Sequence, residues 1–176
     1  NIVYKLQPSE KTTKKSDNLE LSFSLFNLDE LDNEILKQIY SLSGFISFSY
    51  LKTVYGSPKT KLMLGFVGEE LAHIQWIVPG WKIYKKYSFV PEKAFAVISC
   101  YTNPKFRGKG IYSHLLHKTY NSMNGSELFI WASSSNLASL KSIEKTSAEK
   151  KGTFILKKYF WGILRDLKIY GNLTSK

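Results

Sequence analysis

The chain has 176 residues, 43% of them hydrophobic, and a formal net charge of +11. That length suits a single domain, residues 1–176, with enough chain to bury a core. No apolar run approaches the ~20 residues that cross a bilayer. One cysteine, Cys100, excludes an internal disulfide and a cysteine-held zinc, and fits a reducing, cytoplasmic setting. The opening residues carry no signal-peptide pattern. The positive charge favours an anionic partner: nucleic acid, an anionic surface or a phosphate-bearing small molecule.

In chain order, "IVY" reads as a short strand and "PSEKTTKKSDN" as a polar loop. "LELSFSLF" alternates Leu21, Phe23 and Leu25 with Ser22 and Ser24, the period of a half-buried strand. Asn27 followed by Glu30 reads as a capping box, and Leu28, Leu31, Ile35, Leu36, Ile39 and Leu42 keep helical spacing up to Gly44. "FISFSYLKTVY" fits strand or helix. "KLMLGFVGEELAHIQWIV" has two apolar runs around Gly68-Glu69-Glu70, a β-hairpin ended by Pro79-Gly80. "GWKIYKKYSFVPEK" is aromatic, basic and loop-like. "AFAVISCY" lacks polar alternation and reads as a central strand buried on both faces.

Ile111, Leu115, Leu116, Tyr120 and Met123 then share one helix face, which Asn124-Gly125 terminates. "ELFIWAS" is another buried strand. "SSNLASLKSIEK" is a short helix capped by Ser135 or Asn136. The tail "GTFILKKYFWGILRDLKIYGN" offers two more strands.

Between the central strand and its helix lies "YTNPKFRGKGIYSHLL", with Arg107-Gly108-Lys109-Gly110 at the helix mouth. A helix start carries unpaired N–H groups and partial positive charge. A loop that makes those groups converge cradles an anion, and glycine permits the backbone angles and close approach this needs. The alternative is a tight basic turn before an ordinary helix. A Walker loop is absent. So is the dinucleotide fingerprint, because Ser113 stands where its third glycine belongs.

"NPKFRGKGIYSHLL" resembles the acetyl-CoA loop of the GCN5-related N-acetyltransferases (GNAT). Their motif Q/R-x-x-G-x-G/A runs here from Arg107 through Gly108, Lys109, Gly110 and Ile111 to Tyr112, which replaces the final Gly or Ala. Further on, "SNLASLKSIEKTSAEKKG" keeps the family's Asn136 and Glu144-Lys145. Ser139 stands at its alanine, Ile143 at its usual tyrosine, and Ser147-Ala148 at its Gly-Phe. The resemblance covers about residues 94–155.

It implies an α/β (α+β) fold: a mixed, mostly antiparallel sheet flanked by helices, with central strands 4 and 5 splayed. Acetyl-CoA would lie in that wedge as cosubstrate, without a metal. Backbone groups of Cys100 and Thr102 would hold the pantetheine arm like an added strand. Arg107, Gly108, Lys109, Gly110, Ile111 and Tyr112 would hold the phosphates, and Asn136 and Ser139 would close the far side.

Acetyl transfer needs an amine that loses a proton, a polarised thioester carbonyl and a protonated leaving thiolate. His73, on the hairpin, and Glu92, before the central strand, are the candidate bases. Ile143 removes the family's acid, which leaves Tyr101 or Tyr112 as substitutes. His114 and His117 have no third ligand nearby and read as surface residues. The aromatic and basic stretch around Trp76, Trp81, Tyr84 and Lys85 is the candidate acceptor site. Aromatics stack on rings and lysines meet phosphates, so a small anionic amine is expected, a nucleotide-linked amino sugar first. A peptide amine or another small amine is the rival within the enzyme class, and a basic nucleic-acid-binding module the rival outside it. Neither nucleic acid nor membrane is expected as a partner, and the oligomeric state is left open, a homodimer included.

Overall fold

The computed structural model describes residues 1–8, 20–159 and 164–173. The described strands are β1 (Ile2–Lys5), β2 (Leu21–Asn27), β3 (Lys61–Val67), β4 (Glu70–Pro79), β5 (Phe95–Thr102), β6 (Leu128–Ala132), β7 (Glu149–Tyr159) and β8 (Leu164–Gly171). The helices are α1 (Asn33–Ser43), α2 (Phe45–Tyr55), α3 (Gly80–Ile83), α4 (Ile111–Ser122) and α5 (Leu137–Glu144). The strands form one sheet in the order β2-β3-β4-β5-β6-β1-β7-β8. Every pairing is antiparallel except β5 with β6. The polar loop expected after β1, and the turn between the last two strands, fall largely or wholly outside the described residues.

Alternation along β4, with a bulge at Ala72 that shifts the register, builds two cores. Ile74, Trp76 and Val78 enter the one under α1, α2 and α3, with Ile39, Phe48 and Ile83. Ala72 and Ile77 enter the other, under α4 and α5, with Leu115, Leu116 and Ile143. Trp76 is 1% exposed and packs on Phe48 with ring centroids 5.3 Å apart. It is a core residue and not, as expected, a substrate contact.

Two local expectations also change. Asn27 and Glu30 do pair, the carboxylate accepting from the Asn27 backbone and side-chain N–H groups at 2.7 Å each. That pair closes a turn after β2. The helix starts later, capped by Asp32, which accepts from the Ile35 N–H at 2.8 Å. The ambiguous stretch after Gly44 is helical, and Phe48 and Tyr55 reach the core two helical turns apart.

The aromatic, basic stretch is a tied loop opened by α3. The Gly80 N–H donates to the Ala94 carbonyl at 2.7 Å, and the Trp81 N–H to the Glu92 carbonyl at 3.2 Å. A Cβ on Gly80 would sit 2.0 Å from the Pro91 carbonyl oxygen. Backbone cannot yield as a side-chain tip can, so Gly80→Ala is expected to cost about 2–3 kcal/mol. Denaturant unfolding of the variant checks this.

Candidate active site

Pairing between β5 and β6 covers only Phe95, Ala96 and Val97, opposite Leu128, Phe129 and Ile130. Beyond Val97 the two strands part. On its other edge β5 carries a bulge: Trp76 faces Ile98 and Ile74 faces Tyr101, so Ser99 and Cys100 share the place opposite Gln75. Ser99 has φ 49°, a left-handed conformation that serine adopts at some cost. Bulges bend strands and occur beside active sites.

The loop after β5 is built from short-range bonds. Asn103 accepts from the Lys105 N–H at 3.1 Å, and Phe106 is buried beneath. Gly108 and Gly110 have φ of 77° and 75°. Apart from its chain neighbours, no described residue has a heavy atom within 4 Å of where a Cβ would stand on either. Glycine is therefore present for its backbone angle, and the loop's front is open. Gly110 starts α4, aiming that helix's free N–H groups at the opening. Arg107 Nε donates to the Thr102 carbonyl at 3.1 Å, and the guanidinium lies over Tyr101 at 5.5 Å.

Two cavities meet at the parting of the strands. The first, of about 470 Å³, runs along the glycine loop and the end of β5. The second, of about 460 Å³, is walled by Tyr50 and Tyr55 of α2, Lys86 and Tyr87 of the tied loop, and Trp131 of β6. Cys100, Tyr112, Asn136 and Ser139 line both. Asn136 Oδ1 caps α5, accepting from the Ser139 N–H at 3.1 Å.

The junction is electrostatically quiet. Burial pushes the Cys100 thiol up to about 12, against a smaller pull down from the Tyr112 hydroxyl it faces. Burial, and then Cys100 itself, hold Tyr112 well above the usual phenol range, so it keeps its proton. His73 stacks on Tyr112 with ring centroids 5.3 Å apart. Its Nδ1 shares a 2.7 Å hydrogen bond with the Thr102 hydroxyl. Its Nε2 and the Oε1 of Gln75 have no hydrogen-bond partner among the described residues. Burial lowers its pKa from 6.5 to about 4, with a weaker upward pull from Gln75. At neutral pH the imidazole is uncharged.

The residues singled out in the sequence distribute as follows. Cys100, Thr102, Arg107, Gly108, Gly110, Ile111, Tyr112, Asn136 and Ser139 all line the loop-side cavity. Lys109 does not; its ammonium lies over Phe106. His73 and Tyr101 line that cavity too, whereas Glu92 is exposed and lines neither. Trp81, Tyr84 and Lys85 are exposed and line neither; the same segment contributes Ile83, Lys86 and Tyr87 to the second cavity. Tyr50, Tyr55 and Trp131 were missed. Nothing in their local sequence marks them, because α2 and β6 become neighbours only in the folded sheet.

No protein-family model matches the sequence and no curated protein matches it. Solved structures share the fold. An aminoglycoside acetyltransferase from an uncultured soil metagenomic sample, in complex with sisomicin, is similar with a TM-score of 0.57 at 14% identity, over 82% of this chain and 97% of that one. A functionally unknown conserved protein from Staphylococcus epidermidis gives 0.55 at 9% identity, over 86% of this chain and 57% of that one. An acetyltransferase from the GNAT family from Colwellia psychrerythraea gives 0.53 at 12%, over 85% of this chain and 52% of that one. The chain thus spans little more than half the length of these last two. It has the GNAT fold: a mixed, mostly antiparallel sheet parted between β5 and β6.

The buried His73 gives a test of this geometry. The unfolded chain binds its proton near pH 6.5, the folded chain only near 4. Stability attributable to this group is complete above the unfolded pKa. It is lost as pH falls through that window and changes no further below it, a total of about 3 kcal/mol. Denaturant midpoints measured across the window should fall steeply, and the slope should flatten in His73→Asn.

Proposed function

We propose that the protein is an acetyl-CoA-dependent N-acetyltransferase whose acceptor is a small amine carrying an acidic group. The observation that carries this reading is the junction of the two cavities at the parted strands, with an open glycine loop on one side and an aromatic pocket on the other. The N–H groups at Gly108, Gly110 and the first turn of α4 would hold the pyrophosphate, with Arg107 beside them. The pantetheine arm would add to the free edge of β5 at Cys100–Thr102 as a further strand. Asn136 spends its Oδ1 on the helix cap and keeps its amide donor for the arm. The acetyl group would then reach the junction.

The acceptor amine would enter from the second cavity. Lys86 meets an acidic group, and Tyr50, Tyr55, Tyr87 and Trp131 pack a ring. An amino sugar on a phosphate suits this lining, its nucleotide-linked form being the first substrate to try. The amine nitrogen attacks the thioester carbonyl, and backbone N–H groups of β5 stabilise the oxyanion. Collapse breaks the C–S bond. Tyr112, protonated and lining both cavities, gives its proton to the leaving thiolate, and the amine's proton leaves through solvent to restore the phenol. The products are the acetamide and free CoA. Tyr112 is favoured over Tyr101 as the acid, because Tyr101 lies away from the junction under Arg107.

A thiol-release assay across amino sugars, nucleotide-linked amino sugars, polyamines, amino acids and peptides tests the reading. Turnover should be confined to small anionic amines; turnover of peptides alone would refute the sugar assignment and leave the acetyltransferase standing. Tyr112→Phe should lower kcat by about 100-fold with little change in acetyl-CoA affinity. Arg107→Glu should do the reverse, weakening acetyl-CoA binding about tenfold or more by calorimetry.

A further inference from the structure

The helix α2 is apolar on the wrong side as well as the right one. Phe48 and Tyr55 face the core. Outward, Ile46, Tyr50 and Val54 recur every fourth residue, one stripe on the helix surface, with Phe45 beside them. Ile46 is 83% exposed, Phe45 61% and Tyr50 59%. A helix on a soluble monomer normally turns charge outward, and a contiguous exposed apolar stripe marks something that binds there.

What binds is indicated by the neighbouring element. The tied loop puts Trp81, 48% exposed, and Tyr84 on its outer side, among Lys82, Lys85 and Lys86. The Lys82 ammonium lies over the Trp81 ring at 5.1 Å. Residues 45–55 and 80–87 together contain lysines and no acidic residue, and the rest of the tied loop adds Glu92 next to Lys93. Both elements wall the same cavity, through Tyr50 and Tyr55 on one side and Lys86 and Tyr87 on the other. They therefore frame one rim. Exposed aliphatic groups, interfacial aromatics and lysines with snorkelling stems are the chemistry that inserts into and lies on an anionic lipid surface. Nucleic acid would match the lysines but gives Ile46 and Val54 nothing to bury against.

The geometry points to a peripheral membrane-docking surface: the α2 stripe and the outer side of the tied loop sit on an anionic bilayer, with the second cavity opening at its surface. The expectation of no membrane partner rested on the lack of a spanning segment, and docking needs none. The inference stands on exposure and charge, independently of the acetyltransferase reading.

The test is co-flotation of the full chain with vesicles of phosphatidylglycerol and with vesicles of phosphatidylcholine. The protein should float with the first, leave the second largely unbound, and detach progressively with added salt. Ile46→Glu should weaken partitioning by about tenfold or more, and Lys82→Gln by about fivefold. Ile46 is almost fully solvated, so the fold should be unaffected, which an unchanged melting temperature verifies. No flotation, or equal flotation with both vesicles, overturns the proposal. So does an Ile46→Glu variant that floats like the parent protein. Concentration-dependent self-association lost in Ile46→Glu, without vesicle binding, would assign the stripe to a second copy of the chain and overturn it as well.

Discussion

Everything in the site depends on three residue pairs and their abrupt end. Phe95, Ala96 and Val97 hold β5 against β6, and the next residues of β5 are free on that edge. In a parallel pair, continued pairing would consume the backbone groups and fill the space with side chains. Stopping it leaves a strand edge and a gap in the middle of an otherwise continuous sheet. Edges are usually a liability at the margin of a sheet; here one is enclosed inside it. The surrounding strands keep the gap from collapsing. On the far side, β1 pairs with both β6 and β7, so β6 is anchored along the edge it does not share with β5.

The two cores divide the labour. The one under α4 and α5 packs the glycine loop's helix rigidly, with Ile111, Leu115 and Leu116 buried. It also encloses two polar pairs, His73 with Thr102 and Gln75 with Thr119. The other core roots α2 and the tied loop, which wall the second cavity with aromatic side chains. The glycine loop proposed to hold phosphates and the side chains proposed to choose an acceptor therefore lie on opposite faces of one sheet. They can change independently except at Cys100, Tyr112, Asn136 and Ser139.

What the sequence disclosed follows the range of the interactions. The glycine loop was legible because its physics is local: two left-handed glycines and a helix start, within a few residues of each other. The Asn136 cap was legible for the same reason. Trp76 was not, because an aromatic beside lysines looks the same whether it faces solvent or Phe48, and only the alternation of β4 against the folded core decides. The Asn27 and Glu30 pair was real, but the same hydrogen bonds close a turn as readily as they open a helix. Glu92 was placed by its nearness in sequence to β5, and the tied loop carries it outward. Tyr50, Tyr55 and Trp131 join the cavity from elements that are distant in the chain.

The bulge at Ser99 bears on the handedness of this arrangement. Ile98 packs toward α1–α3 and Val97 toward α4. In an unbroken strand residues two apart share a face, so Cys100 would follow Ile98 and look toward α2. Instead Ser99 is absorbed as a surplus residue, and Cys100 packs on the α4 side, against Tyr112. Bend and sidedness are thus set by separate quantities: the bend by the surplus residue, the side by the parity of the residues that alternate outside it. Removing Ser99 would leave Cys100 facing Tyr112 on a straighter strand, where pairing with β6 could run on past Val97 and shut the gap. Adding one residue without a second bulge would keep the gap and turn its chemistry to the opposite face. Two residues added outside the bulge would keep both the gap and its side, whereas one added residue would keep the gap alone.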